Sequence, residues 1–345
     1  MSYVTRKVWL LATFVAVALT WQTAAADDVA DFYRKNELRI LVGNTSGGGY
    51  DTYARALARH LGRHIPGNPN IVVMNKPGAG GLAVANDLFN VSPRDGSIIA
   101  MPTRNALTEG LFGNDAARFD PLQFSWIGSM NSEVSLCGVW ATVPVSKATD
   151  LSSRGMVVGG TSAGDDTVVF PRVLNSVAKT KLKIVSGYPG GNDINLAIER
   201  GEVEGRCGMS YSSLMSTRGE WMAQKKFRIL LQLSASRHPD LADIPTVMEV
   251  VDPAARDALE LIFARQYWGR PFMAPPGVPK ERVAALRKAF IDTLKDPQFL
   301  SDAEKMKLEI ELVDGQAIQE KLNQLYRLPK QAIDEAKAAM QTPPK

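Results

Sequence analysis

Apolar and polar positions alternate along most of the chain in two rhythms, one with a short strand period and one with a helical period. Leu38–Val42 reads as a strand. It precedes Tyr50–Leu61, where Tyr50, Tyr53, Ala54, Leu57, Ala58 and Leu61 recur at helical spacing and Arg55, Arg59 and His60 fall on the opposite face. Ile71–Met74 and Ser97–Met101 read as strands around a helix over Leu82–Phe89. This β-α-β-α-β order favours a parallel sheet with right-handed crossovers. The pattern restarts after Cys137, with strands over Met156–Gly160, Lys183–Tyr188, Val203–Gly208 and Phe227–Gln232. Helices over Thr167–Val177 and Asn192–Arg200 fall between them, the second ended by Gly201. Three more helices follow, over Pro253–Phe263, Pro279–Leu294 and Gln316–Tyr326, with Pro275-Pro276-Gly277 and Asp296-Pro297 as breakers. The sum is two α/β units in series, joined near Glu133–Cys137 without a low-complexity linker. That arrangement predicts two lobes across a shared cleft: residues 27–133, to which 244–345 return, and residues 134–243.

The first 26 residues follow neither rhythm. Arg6-Lys7, an apolar run from Val8 to Thr20 and Ala24-Ala25-Ala26 form the basic start, short core and small-residue cleavage site of a secretory signal peptide. The apolar run is shorter than the ~20 residues of a spanning helix. The mature chain is therefore expected to be exported.

Composition narrows the chemistry. The chain has 345 residues and a formal net charge of +4, too mild to argue for nucleic acid. Without Arg6 and Lys7 the balance is 38 basic to 36 acidic residues, a net of +2. Only 3 His and 2 Cys are present, which starves most metal schemes of ligands, and no cofactor motif is found. Cys137 and Cys207 read either as one disulfide or as two separate buried thiols.

The glycines are more informative. Four Gly-rich turns sit where a strand passes into a helix: Gly43–Gly49, Pro77–Gly81, Gly159–Gly164 and Gly187–Gly191. Each places unpaired backbone N–H groups at a helix N-terminus, where the helix dipole favours an anion. Two turns per lobe, facing each other, would make an anion clamp; the plain alternative is that glycine simply serves tight turns. Gly49-Tyr50-Asp51 does not continue as a Walker loop, and the first turn lacks G-x-G-x-x-G spacing. Asp165 or Asp166 reads as the cap of the Thr167 helix. Thr103 and Arg104 follow the third strand, Arg104 either pairing with a second ligand carboxylate or standing as a surface cation.

One enzymatic reading competes. Gly160-Thr161-Ser162-Ala163-Gly164 matches the G-x-S-x-G nucleophile elbow of α/β serine hydrolases and follows a strand. The hydrolase order needs a His downstream, and only His238, in what reads as a solvated turn, lies there.

Taken in order, several segments resemble the receptors of tripartite tricarboxylate transporters, the Bug/TctC-like periplasmic solute-binding proteins. Gly47-Gly48-Gly49-Tyr50-Asp51-Thr52-Tyr53-Ala54-Arg55 is similar to their G-G-x-x-D-x-x-A-R segment, and Asn75–Gly81 to their N-x-P-G-A-G-G loop. Pro93-Arg94-Asp95-Gly96, Gly187–Gly191, Gly201-Glu202-Val203, Ile244–Glu249 and Pro275–Pro279 match further family turns. The resemblance implies a two-lobe, type II-like Venus-flytrap fold without catalysis, metal or cofactor. It implies a monomer that captures a small organic acid and delivers it to integral membrane transporter subunits. By position it implies ligand contacts at Asn44, Thr45, Ser46, Gly48, Ala79, Gly80 and Thr103 from the first lobe, and at Thr161, Ser162, Gly190, Gly191 and Asp193 from the second. The family's first loop usually carries prolines where this chain has Asn44-Thr45-Ser46.

Overall fold

The computed structural model describes residues 28–341; the export segment read over residues 1–26 lies outside them. Eleven strands form two sheets among the described residues. The first runs β11-β4-β10-β3-β1-β2, from β1 (Leu38–Val42), β2 (Ile71–Asn75), β3 (Ile98–Met101), β4 (Ser125–Ser129), β10 (Pro271–Ala274) and β11 (Val313–Asp314). The second runs β7-β6-β8-β5-β9, from β5 (Ser135–Trp140), β6 (Met156–Gly159), β7 (Leu182–Val185), β8 (Gly205–Ser210) and β9 (Phe227–Leu233).

The expected all-parallel sheets are in fact mixed, for a topological reason. β1, β2 and β3 are parallel, as are β6, β7 and β8. β4 leads into β5 of the other sheet, and β9 leads back into β10. A strand reached from the other lobe starts at the end where its neighbours finish. β10 is accordingly antiparallel to β3 and β4, and β5 to β8 and β9. The carboxyl ends of β1, β3, β6 and β8 thus point at one another across the gap between the sheets.

Each sheet is held by burial of strand residues. Leu38, Ile40 and Val42 of β1 are fully buried with Tyr53 and Leu57 of the following helix, Gly49–Leu61; a side chain of this kind contributes roughly 1.5–3 kcal/mol when buried. His60 is not on a solvated face as its spacing predicts. The helix Pro297–Lys305 packs over that side, and His60 Nε2 lies 2.9 Å from Asp302 Oδ2. Asp296-Pro297 breaks the helix Lys280–Lys295 as expected and also starts this one: Asp296 Oδ1 accepts from Gln298 N at 2.8 Å, and Pro sits at the first helical position, where no N–H is needed. Cys137 and Cys207 face each other in register on β5 and β8, are fully buried, and form a disulfide.

Candidate functional site

A narrow cavity of about 60 Å³ lies between the two sheets. Asn44, Gly48, Tyr50 and Arg104 line it from the first lobe, and Thr161, Gly191, Arg206 and Ser213 are among those from the second. Four helices start at its wall: Gly49–Leu61, Asp166–Val177, Gly191–Glu199 and Tyr211–Ala223. Asp165 caps the second, its Oδ1 accepting from Thr167 N at 2.9 Å. Those beginning at Gly48 and Gly190 have no side-chain cap, whereas the one beginning at Ser210 has its first N–H groups taken, Tyr211 N by Val134 O at 2.9 Å and Ser212 N by Glu133 Oε1 at 3.3 Å. The free first-turn N–H groups of the Gly49–Leu61 and Gly191–Glu199 helices carry the positive end of each helix dipole towards the cavity.

The two arginines of the wall differ in kind. Arg104 is buried and bonded at each nitrogen: Nε donates to Asp166 Oδ2 at 2.7 Å, Nη1 to Ser210 Oγ at 3.0 Å and Nη2 to Ser135 Oγ at 2.6 Å. Burial opposes its charge, but Asp166 more than restores it, and its pKa is raised. Arg104 is therefore not a surface cation, and Asp166 already matches its charge. Arg265 approaches the other Asp166 oxygen at 3.2 Å. Arg206, on β8, has no ion pair among the described residues; its Nη1 donates to Gly191 O at 3.0 Å and Asn195 Oδ1 at 3.3 Å, and its Nε is buried without a partner. Burial, and beyond it the charge of Arg104, pulls Arg206 down to about 10, against the pull of Asp165.

Of the residues expected at the site, Asn44, Gly48, Thr161 and Gly191 line the cavity. The other eight do not line it; Thr45, Gly80, Ser162 and Gly190 sit where loops of the two lobes touch. Glycine is what allows that touch: a Cβ on Gly190 would strike Thr45 Oγ1, and one on Gly80 would strike Ser162 Oγ. Thr103 turns its hydroxyl onto Gly80 O. Ser46 is exposed and donates to Asp51 Oδ2 at 3.3 Å. Ala79 is exposed in the turn ahead of the Leu82 helix, and Asp193 lies in the first turn of the Gly191 helix.

Asp51, Arg55 and Asn75 of the resemblance motifs are scaffold. Asp51 accepts from Gly47 N, Arg55 Nε and Asn75 Nδ2, each at 2.9 Å, and Asn75 Nδ2 also reaches Asn44 O at 2.9 Å. Burial would raise the Asp51 pKa, but these donors outweigh it and hold the carboxyl below its usual value. The first glycine turn is thereby fixed.

Ser162 has no partner for its hydroxyl. His60, His64 and His238 are paired instead with Asp302, Asp296 and Glu309. His238, Asp240 and Glu309 hold ligand atoms within 4.8 Å of one another. However, His238 Nδ1 accepts from Asp240 N at 3.2 Å, which leaves the proton on Nε2, directed at Glu309 Oε1 3.0 Å away. That tautomer is wrong for a metal at Nε2, and the trio is a hydrogen-bonded link between the lobes.

The link gives a pH prediction. Burial, and after it the nearby Glu133, pushes the Glu309 carboxyl up to about 7. The folded chain then holds this proton more tightly than the unfolded chain does. The stabilisation is complete below the ordinary glutamate value and is lost as pH rises through about 7. The melting temperature should fall between roughly pH 4.5 and pH 7 and level off above that, and Glu309→Gln should flatten that slope. An unchanged slope in the variant would place the titration elsewhere.

Sequence reasoning missed Arg206 and the helix Tyr211–Ala223. A charge inside the otherwise small or apolar run Gly205–Gly208 was the available signal for Arg206.

No family model matches the chain. It is 24% identical over 281 residues to the UPF0065 protein in the tcbD-tcbE intergenic region of Pseudomonas sp. (strain P51), spanning 79% of this chain and 77% of that protein. Among solved structures, the periplasmic binding protein BugD superposes with a TM-score of 0.70 at 20% identity, over 88% of this chain and 98% of that one. MatC from Rhodopseudomonas palustris with bound malate gives 0.67 at 17% identity, over 89% and 99%. A second R. palustris protein, with adipate, gives 0.67 at 19% identity, over 88% and 97%. The chain therefore has the two-lobe fold of the Bug and TctC periplasmic binding proteins.

Proposed function

We propose that this chain is a periplasmic receptor that captures a small carboxylate between its lobes and hands it to the membrane subunits of a tripartite tricarboxylate-type transporter. The observation that carries this reading is the convergence of two uncapped helix N-termini, one from each lobe, on one cavity between the lobes. Such ends bind anions without any catalytic side chain. The malate and adipate held by two proteins of the same fold support the same ligand class. In this reading residues 27–133 and 244–345 form one lobe and 134–243 the other, the chain acts as a monomer, and residues 1–26 direct export. Ligand contacts to both lobes favour the closed state. A serine hydrolase built on Ser162 is disfavoured, since no histidine bonds its hydroxyl among the described residues.

The test is a thermal-shift panel of mono-, di- and aromatic carboxylates beside neutral sugars and amines. A ligand at about 100 times its Kd adds about 2.7 kcal/mol to stability. At least one carboxylate should raise the midpoint. A panel in which only sugars or amines do so overturns the proposal.

A further inference from the structure

We infer that Arg206 takes the ligand's carboxylate directly and makes the site select an acid over its amide. This rests on the receptor reading above. The cavity wall holds two guanidinium groups, and the protein uses up only one. Arg104 spends all three nitrogens on Asp166, Ser210 and Ser135. Arg206 spends only Nη1, on Gly191 O and Asn195 Oδ1. Those two acceptors fix the plane of the group. Its opposite edge, Nε with Nη2, makes no hydrogen bond among the described residues, and Nε is buried. An Nε/Nη2 edge is a fork whose spacing matches the two oxygens of a carboxylate.

The surroundings are built for that group. A Cβ on Gly191 would come within 2.7 Å of Arg206 Nη2 and 2.9 Å of Nη1, so glycine at this helix start makes room for the guanidinium. Asp165 is the acidic side chain that favours its charge, and Asp165 Oδ1 is already taken by the Thr167 amide at 2.9 Å and the Thr167 hydroxyl at 2.6 Å. Asp166 lies between Arg104 and Arg265. Counting Arg265 behind the wall, three guanidiniums stand against two carboxylates, and Arg206, the one without an ion pair among the described residues, is the cation left over. A charge removed from water without a counter-charge is unfavourable until an anion arrives. A neutral amide of the same shape offers one oxygen acceptor in place of two and no charge, and turns an N–H₂ towards the fork.

The test is titration calorimetry of the mature chain with malate and adipate and with their diamides, for wild type, Arg206→Gln and Arg206→Lys. Wild type should prefer each acid that binds by on the order of 100-fold over its diamide, the worth of a charge-assisted bidentate pair. Arg206→Gln should lose about 100-fold in acid affinity and most of the preference, while Arg206→Lys, which keeps the charge but not the fork, should lose about 10-fold. The ligand-free melting temperature of Arg206→Gln should not fall, because the change removes an unpaired cation. Equal acid affinity in wild type and Arg206→Gln overturns the inference and leaves the receptor reading standing. So does an Arg206→Gln chain that melts lower and binds nothing, which would make Arg206 a structural residue. Wild type that binds neither these acids nor any carboxylate of the panel sinks the receptor reading, and this one with it.

Discussion

Asp166→Asn should cost about 3–5 kcal/mol of folding stability, read as a lower denaturant midpoint at unchanged slope. Asp166 lies between two guanidiniums, with Arg104 Nε at 2.7 Å and Arg265 Nη1 at 3.2 Å. All three side chains are nearly or wholly buried, at 6%, 3% and 1% exposure. Asparagine keeps the volume and one oxygen but removes the charge, so two cations remain in low dielectric without their counter-ion. The size of the effect comes from what is stranded, since a buried pair contributes little net stability over an apolar pair of the same shape. The double variant Asp166→Asn with Arg104→Met should therefore recover part of the loss. Strict additivity of the two changes would argue against coupling at this site.

Replacing both Cys137 and Cys207 by serine should cost about 4 kcal/mol by the loop-closure estimate for their separation of 70 residues. For a chain of this size the loss would lower the melting temperature by on the order of 10 °C. The bond joins neighbouring strands at the centre of the second sheet, β5 and β8, and β5 is the strand that enters from the other lobe. Without it, the unfolded chain is free to separate the return strand from the β6-β8 pair. A melt of the wild type with and without a reductant checks the same quantity without mutation. A shift of only a degree or two would mean that register and burial alone hold the pair.

Much of this architecture was legible because the two rhythms are strong where elements are amphipathic. The helix Gly49–Leu61 and strand β1 fall within a residue of their expected bounds. β4 and β10 were not read: Ser125–Ser129 and Pro271–Ala274 are short, buried throughout their length apart from Ser125, and so lack alternation. The helix Tyr211–Ala223 was hidden by its own chemistry. Ser216 and Thr217 bond back to the carbonyls of Ser212 and Ser213 at 2.7 Å, and residues of this kind are weak helix signals. At the site, glycine turns marked where the backbone faces the cleft. They did not mark Arg206, whose role depends on which partners other arginines have already taken, and that is a property of tertiary contacts.

The contacts of Thr45 with Gly190 and of Gly80 with Ser162 have a kinetic consequence. Loops from opposite lobes meet there, so in the receptor reading a ligand leaving between them has to wait until they part. Its residence time is then set by how often the lobes swing open, and its affinity by how long they stay shut. Two ligands with different contacts in the cavity would share the same ceiling on dissociation rate. A larger side chain at either glycine would act as a doorstop, raising that ceiling without touching the bound molecule.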